Sequence, residues 1–476
     1  MDLVTELPSE SLGFKRAYKY PFVASQVLSF PEPSVQNLFF AHKDLLTKLL
    51  GVLYFEELNE TIAGYVVQVA ESLLKFNPET FCSFVYQNSL GERMLWHLHN
   101  SSVAELLLGF LVSETEVKQR CKILNLLVKQ LRNSKDFIPK NASFILCEII
   151  HQIGSISSWE TLISEFMQSV DFVFECFFEE SNTEALEVLK ALLTSPSRGD
   201  IFKSEGVSQV FVHKLLEALP LFKQELLKPG NSLEQPTGTI EALGKAKLQI
   251  VEIISHSLQL GIPELSTQIS KLGFFDLLAD LLERFKLNSF LHNAVLSCVV
   301  GLFSQEANDL KLEFCSSKFF RNLIQETPQS TLRGHFLKIS NTLIQESQTN
   351  PQVKQAIQTQ EWEAFRTQFV EPNNQLEERH LGGSPPKTFG MDSLSETKLA
   401  SHSNYTQETQ QIGEELPEDF KHSFDSTTPK IIQNSLSARQ RLLGFDSDLQ
   451  KHTVHDFKHV NYWKLPIDLG RLESLE

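Results

Sequence analysis

The sequence predicts an all-α fold: an armadillo/HEAT-like α-solenoid of antiparallel helix pairs over residues 1–371, followed by a largely disordered polar tail over 372–476. Three observations predict it. Apolar residues recur at helical rather than alternating spacing from Val66 to Phe369, helix-start signals sit where the stripes begin, and composition changes beyond Glu371-Pro372-Asn373-Asn374.

Taken in order, Ile62, Tyr65, Val66, Val69 and Leu73 make a first stripe. Asn77-Pro78-Glu79 then supplies an N-cap, a first-turn proline and an acid at the positive end of a helix. Ser102-Val103-Ala104-Glu105 has capping-box spacing, as does Ser157-Ser158-Trp159-Glu160. Val117, Cys121, Leu124, Val128 and Leu131 form a second stripe, and Trp159, Leu162, Ile163, Phe166, Val170 and Phe174 a third. Connections such as Phe55–Asn59 and Lys286-Leu287-Asn288 are short, which predicts antiparallel neighbours. No strict period is present, so a divergent helical stack is expected, not a consensus array. Leu227–Gly238, the longest interruption, reads as a loop before a long helix, and no strand pattern competes. Beyond residue 371 the chain turns to Ser, Thr, Gln, Pro and charge. Two apolar clusters there, Arg441–Phe445 and Val460–Leu465, are candidate docking motifs.

Of the 476 residues, 41% are hydrophobic and 21% charged, which suits a chain that buries a core. The net charge of -16 opposes a nucleic-acid backbone, so nucleic acid is excluded as a partner class. Six widely spaced cysteines, at 82, 121, 147, 176, 298 and 315, contain no C-x-x-C pair and read as buried free thiols. Neither a signal-like N-terminus nor an apolar stretch of about 18 residues is seen, so no membrane insertion is expected. The expected location is cytoplasmic, with the nucleus as a second compartment.

The sequence lacks the phosphate-cradling loop, nucleophile elbow, H-E-x-x-H and dinucleotide fingerprint, and also the Asp, His and Asn clusters of a metallophosphatase. The expectation is therefore no enzyme, no catalytic residues, no cofactor and no metal. His452, His455 and His459 share a helical spacing suited to imidazole ligation, but no acidic group is placed to orient the rings. His97 and His99 flank Leu98 and cannot share one helical face. Lys458–Tyr462 is similar to a strand-adding motif of some phosphatase regulators, with Tyr at its aromatic position; Ser384-Pro385 and Thr428-Pro429 are proline-directed phosphorylation dipeptides.

Five segments then fall in order: Lys19–Leu28 with its Tyr-Pro-Phe start; Leu58–Tyr65; His97–Leu108; Leu243-Gly244-Lys245-Ala246-Lys247-Leu248; and Phe275–Leu278 with Asn288-Ser289-Phe290-Leu291-His292. Together they resemble the SAPS-domain family, the regulatory subunits of protein phosphatase 6 and its fungal counterpart, over roughly the first three quarters of the chain. Two substitutions depart from the family pattern, Lys247 for Arg and Ser289 for Asn. About twenty residues precede Pro21, where the family carries a further acidic segment; lineage loss and an incomplete sequence are both open.

The resemblance implies a non-enzymatic scaffold that binds a protein phosphatase 6-like catalytic subunit, directs it to substrates, and has further scaffold subunits as candidate partners. The residues it singles out for partner contact are Asn59, Tyr65, His97, Ser101, Ser102, Leu243, Gly244, Lys247, Asn288 and His292. Structural roles compete at several of them. Asn59 and Ser102 read as N-caps, Gly244 as a close-packing position, Asn288 as the cap of the helix holding His292, and the His292 ring as a partner for a buried backbone group. The alternative class is an armadillo-type adaptor for transport or cytoskeletal assembly without a phosphatase; an enzyme with an unfamiliar site is third.

Overall fold

The computed structural model describes residues 1–378 apart from 7–12, 14, 114–116, 136, 157, 204, 237 and 326–330. These residues lie in one compact unit, Met1–Arg379. Eight helices stack side by side as one layer: α1 (Tyr20–Ser29), α2 (Glu60–Phe76), α3 (Ser101–Val112), α4 (Phe137–Gln152), α5 (Thr183–Thr194), α6 (Lys245–Gln259), α7 (Ser289–Phe303) and α8 (Arg333–Thr349), each packed on the next.

Side-chain bonds between neighbours show that this layer is parallel. At the starting ends, Asn141 Nδ2 of α4 donates to the Leu98 carbonyl just before α3 at 2.7 Å, and Ser143 Oγ donates to the Glu184 carbonyl of α5 at 2.9 Å. At the finishing ends, Ser72 Oγ of α2 donates to the Ser29 carbonyl at 2.8 Å, and Ser195 Oγ just after α5 donates to the Ile150 carbonyl of α4 at 2.9 Å. Like ends meet, so the chain returns between them through a second layer that includes Leu90–Trp96, Val117–Lys129, Trp159–Gln168, Glu205–Leu227 and Phe274–Arg284. This is the expected all-α solenoid.

The stripes predicted from sequence supply the core between the layers. Ile62, Val66, Val69 and Leu73 are buried in α2, and Cys121, Leu124, Val128 and Leu131 in the second layer. The third stripe is two helices. Trp159–Gln168 ends at Ser169, and Val170–Glu180 begins there. Phenylalanines fill the middle: Phe174, Phe177, Phe178, Phe211 and Phe222 meet with ring centroids 5.1–6.5 Å apart. All six cysteines are free thiols, Cys147 half-buried and the rest buried.

Two further expectations meet a different structure. Leu227–Gly238 is not simply a loop: β1 (Ser232–Gln235) and β2 (Gly238–Glu241) pair antiparallel, with Leu233 opposite Ile240. The layers also continue past residue 371, through the helix Glu371–Glu378. Asn373 is buried there, donating to the Phe369 carbonyl and accepting from Arg333, while Asn374 and Asn341 exchange amide bonds at 2.9 and 3.0 Å. Polar residues that read as a tail are held by side-chain bonds. His452, His455, His459, Lys458–Tyr462, Ser384, Thr428 and both apolar clusters lie outside the described residues.

Candidate partner-binding edge

Because α2 to α7 run parallel, their N-termini share one edge, and Leu58–Tyr65, His97–Leu108, Leu243–Leu248 and Asn288–His292 each contain one of those helix starts. Each helix start must satisfy backbone N–H groups that have no partner within the helix. Asn59 does this for α2, accepting from Thr61 N at 3.0 Å and Ile62 N at 3.3 Å. Asn182 does it for α5 and Asn288 for α7, each with one N–H, Glu184 at 2.9 Å and Leu291 at 3.0 Å.

At α3 the cap is Asn100, which accepts from Ser102 N at 3.0 Å and Val103 N at 3.2 Å. This corrects the reading of Ser102 as a cap: Ser102 is the second residue of the helix and a donor to the cap, and Ser101 is its exposed first residue. At the second predicted box, Ser158 precedes the helix without capping it; its hydroxyl accepts from buried Arg120 at 2.5 Å, and Ser157 is outside the described residues.

Gly244 starts α6 by backbone conformation instead. Its φ is +81°, a region that favours glycine, and a Cβ added there would meet nothing within 4 Å. Close packing is therefore not its role. The neighbouring hairpin is tied down by charge: buried Lys247 donates its Nζ to the Lys228 carbonyl, and Glu241 accepts from Gly230 N and from Arg284, whose Nε lies 2.6 Å away. Burial, then the nearby Arg284 charge, pushes the Lys247 pKa down. Leu243 is buried beside it.

The histidines serve the interior. His97 Nε2 bonds the Leu53 carbonyl at 3.1 Å, and His292 Nε2 the Phe285 carbonyl at 3.2 Å. Burial lowers both pKa values from the ordinary 6.5. His97 and His99 sit in a turn, not on a helix, with ring centroids 6.0 Å apart. Among the described residues no group of three or more His, Cys, Asp or Glu is placed to hold a metal. Tyr65 is half-buried, and burial raises its phenol.

Across α5 to α7 lies a cavity of about 310 Å³ lined in part by Lys190, Glu252, His256, Phe290 and Asn293. Lys190 is spoken for by Glu187 at 2.9 Å and Glu252 at 3.1 Å, so the cavity offers hydrogen-bonding groups and an aromatic rim, with its cation already neutralised.

Buried and capping side chains thus occupy most of the singled-out positions, while the exposed large side chains stand beside them. Phe290, within the fifth segment, is 72% exposed; Trp96, one residue before the third, is 65% exposed. Sequence reasoning passed over both, and also Tyr54 and Arg93. The available signal was Trp96 lying off the buried stripe of Leu90, Met94 and Leu95.

Stacked helices with bulky side chains displayed along an edge define an α-solenoid scaffold, a class that works by binding. No protein-family model matches the chain. Among curated proteins it is 24% identical over 445 residues to serine/threonine-protein phosphatase 6 regulatory subunit 1 of Mus musculus, covering 76% of this chain and 52% of that protein. It is 25% identical over 357 residues to regulatory subunit 2 of Homo sapiens, covering 67% and 37%. With regulatory subunit 3-A of Xenopus laevis the identity is 24% over 336 residues, covering 62% and 39%. The resemblance to the SAPS-domain regulatory subunits is borne out by these relatives, and the chain spans about half the length of the subunit 1 proteins it matches. One solved structure, of an engineered protein, matches with a TM-score of 0.39 at 11% identity, covering 75% of this chain and 83% of its own.

Proposed function

We propose that the chain is a non-enzymatic regulatory subunit that holds a protein phosphatase 6-like catalytic subunit and brings substrates to it. The observation that carries this reading is similarity over 62–76% of the chain to proteins named as regulatory subunits of that phosphatase. The fold supports it: parallel helices packed in one layer offer a long surface on which catalytic subunit and substrate would share one scaffold. The gain is effective concentration, without catalytic groups from the scaffold.

Pull-down of tagged residues 1–378 from lysate of the source cells tests the reading. Enrichment of a phosphatase 6-like catalytic subunit over a scrambled-helix control is the expected result. Enrichment of transport or cytoskeletal proteins with no phosphatase would replace the reading with the adaptor class. The same protein made in bacteria should hydrolyse no phosphoserine peptide after stringent purification.

A further inference from the structure

We propose that Tyr54, Arg93 and Trp96 form a bracket that takes a carboxylate side chain from an acidic, partly apolar segment of a protein partner. The inference rests on the regulatory reading only for the identity of that partner. The Arg93 guanidinium carbon lies 4.2 Å from the centroid of Trp96 and 5.0 Å from that of Tyr54. Stacking of this kind occupies the faces of the guanidinium and leaves its in-plane N–H fork available for two parallel bonds to a carboxylate.

The bracket is held in place before any partner arrives. Tyr54 donates its hydroxyl to the Asn88 carbonyl at 2.6 Å, and Asn88 Nδ2 donates to the Phe84 carbonyl at 2.8 Å. Arg93 and Trp96 belong to one short helix, Leu90–Trp96, whose Leu90, Met94 and Leu95 are buried. Preorganisation of this sort lowers the entropy lost on binding.

Charge selects the occupant. Glu92, next to Arg93, is paired with Lys122 at 2.7 Å, and among the described residues no carboxylate lies within ion-pair distance of Arg93. Burial lowers the His97 pKa first, and the Arg93 charge lowers it too, so the field of that guanidinium is felt inside the edge. Exposed Glu56 and Glu57 follow Phe55 without reaching Arg93. In a chain of net charge -16, an arginine left unpaired between two exposed aromatics fits an anionic group. Phe55, 54% exposed, adds apolar surface beside Tyr54. Trp, Tyr and Arg are the residue types that dominate binding energy at protein interfaces.

The test uses the full chain and a fluorescein-labelled short peptide with one Asp between leucines, against the same peptide with Asn. Fluorescence polarisation at low salt, with protein up to about 1 mM, reads the affinities. The Asp peptide is expected to bind about tenfold tighter. Arg93→Gln should abolish that preference, Trp96→Ala should weaken both peptides, and Arg93→Lys should keep part of the preference. Each variant must show wild-type helical circular dichroism. Equal binding of the two peptides, no binding of either, or an unchanged preference in Arg93→Gln would overturn the bracket. A parallel pull-down separates the readings. A catalytic subunit retained equally by wild type and Arg93→Gln removes the bracket as its contact and leaves the regulatory reading intact; no retention by wild type sinks the regulatory reading, and the peptides still judge the bracket.

Discussion

The starts of α3 and α6 solve the same problem by opposite means. At α3 a single side chain, Asn100, satisfies two backbone N–H groups from two and three residues away. At α6, Gly244 has no side chain to offer, and the approach to the helix is fixed from a distance: Lys247 reaches back to Lys228, and Arg284 crosses to Glu241. One start is local chemistry and the other tertiary. Damage at α3 should therefore stay small, whereas damage at α6 should also release the hairpin.

The largest effect is expected from Lys247→Ala, which removes a buried stem and leaves the Lys228 carbonyl without its donor. Destabilisation of about 3 kcal/mol is predicted by equilibrium urea unfolding. Faster proteolysis within Asn231–Glu241 should accompany it; an unchanged cleavage rate would show that the hairpin does not depend on Lys247.

Gly244→Ala comes next, at about 2 kcal/mol, because its φ of +81° strains any residue with a Cβ although space is open. Thermal unfolding reads it, and a neutral result would mean that α6 re-forms its start without cost. Asn100→Ala should cost about 1.5 kcal/mol and Asn59→Ala, on an exposed cap, about 1 kcal/mol, with hairpin proteolysis unaltered in both.

Acidification sharpens the contrast from another side. His97 lies beside the α3 start, and its folded pKa is below the ordinary 6.5, so the unfolded chain binds more protons just beneath that value. Its contribution is complete above pH 6.5 and lost as pH falls through the folded pKa. His292, lowered by burial, acts in the same sense. Melting temperature should fall between pH 7 and pH 5, and His97→Gln should flatten that slope; an equal slope in the variant would place the acid sensitivity elsewhere.

The same contrast explains what could be read in the sequence. Asn59, Asn77 and Asn288 were legible as caps because capping depends on the few residues that follow, and the buried stripes were legible because helical periodicity is local. Ser102 misled because serine and asparagine both cap, and Asn100 stood two residues earlier. The hairpin was illegible: each strand is four residues long, and Arg284, which holds it, comes from the helix Phe274–Arg284. Bulky side chains exposed at the edge were harder still. Asn59, Lys247, Asn288 and His292 stood out by resemblance, yet each has a partner within the fold, while Trp96 and Phe290 carry exposed surface, marked at Trp96 only by its place off the stripe of Leu90, Met94 and Leu95.

The proposed contact between this solenoid and a phosphatase catalytic subunit is measured most directly by size-exclusion chromatography with light scattering on the purified chain mixed with a purified phosphatase 6-like catalytic subunit. The account predicts a single species at the summed mass. Two peaks at the masses of the separate proteins, at both low and physiological salt, would contradict it.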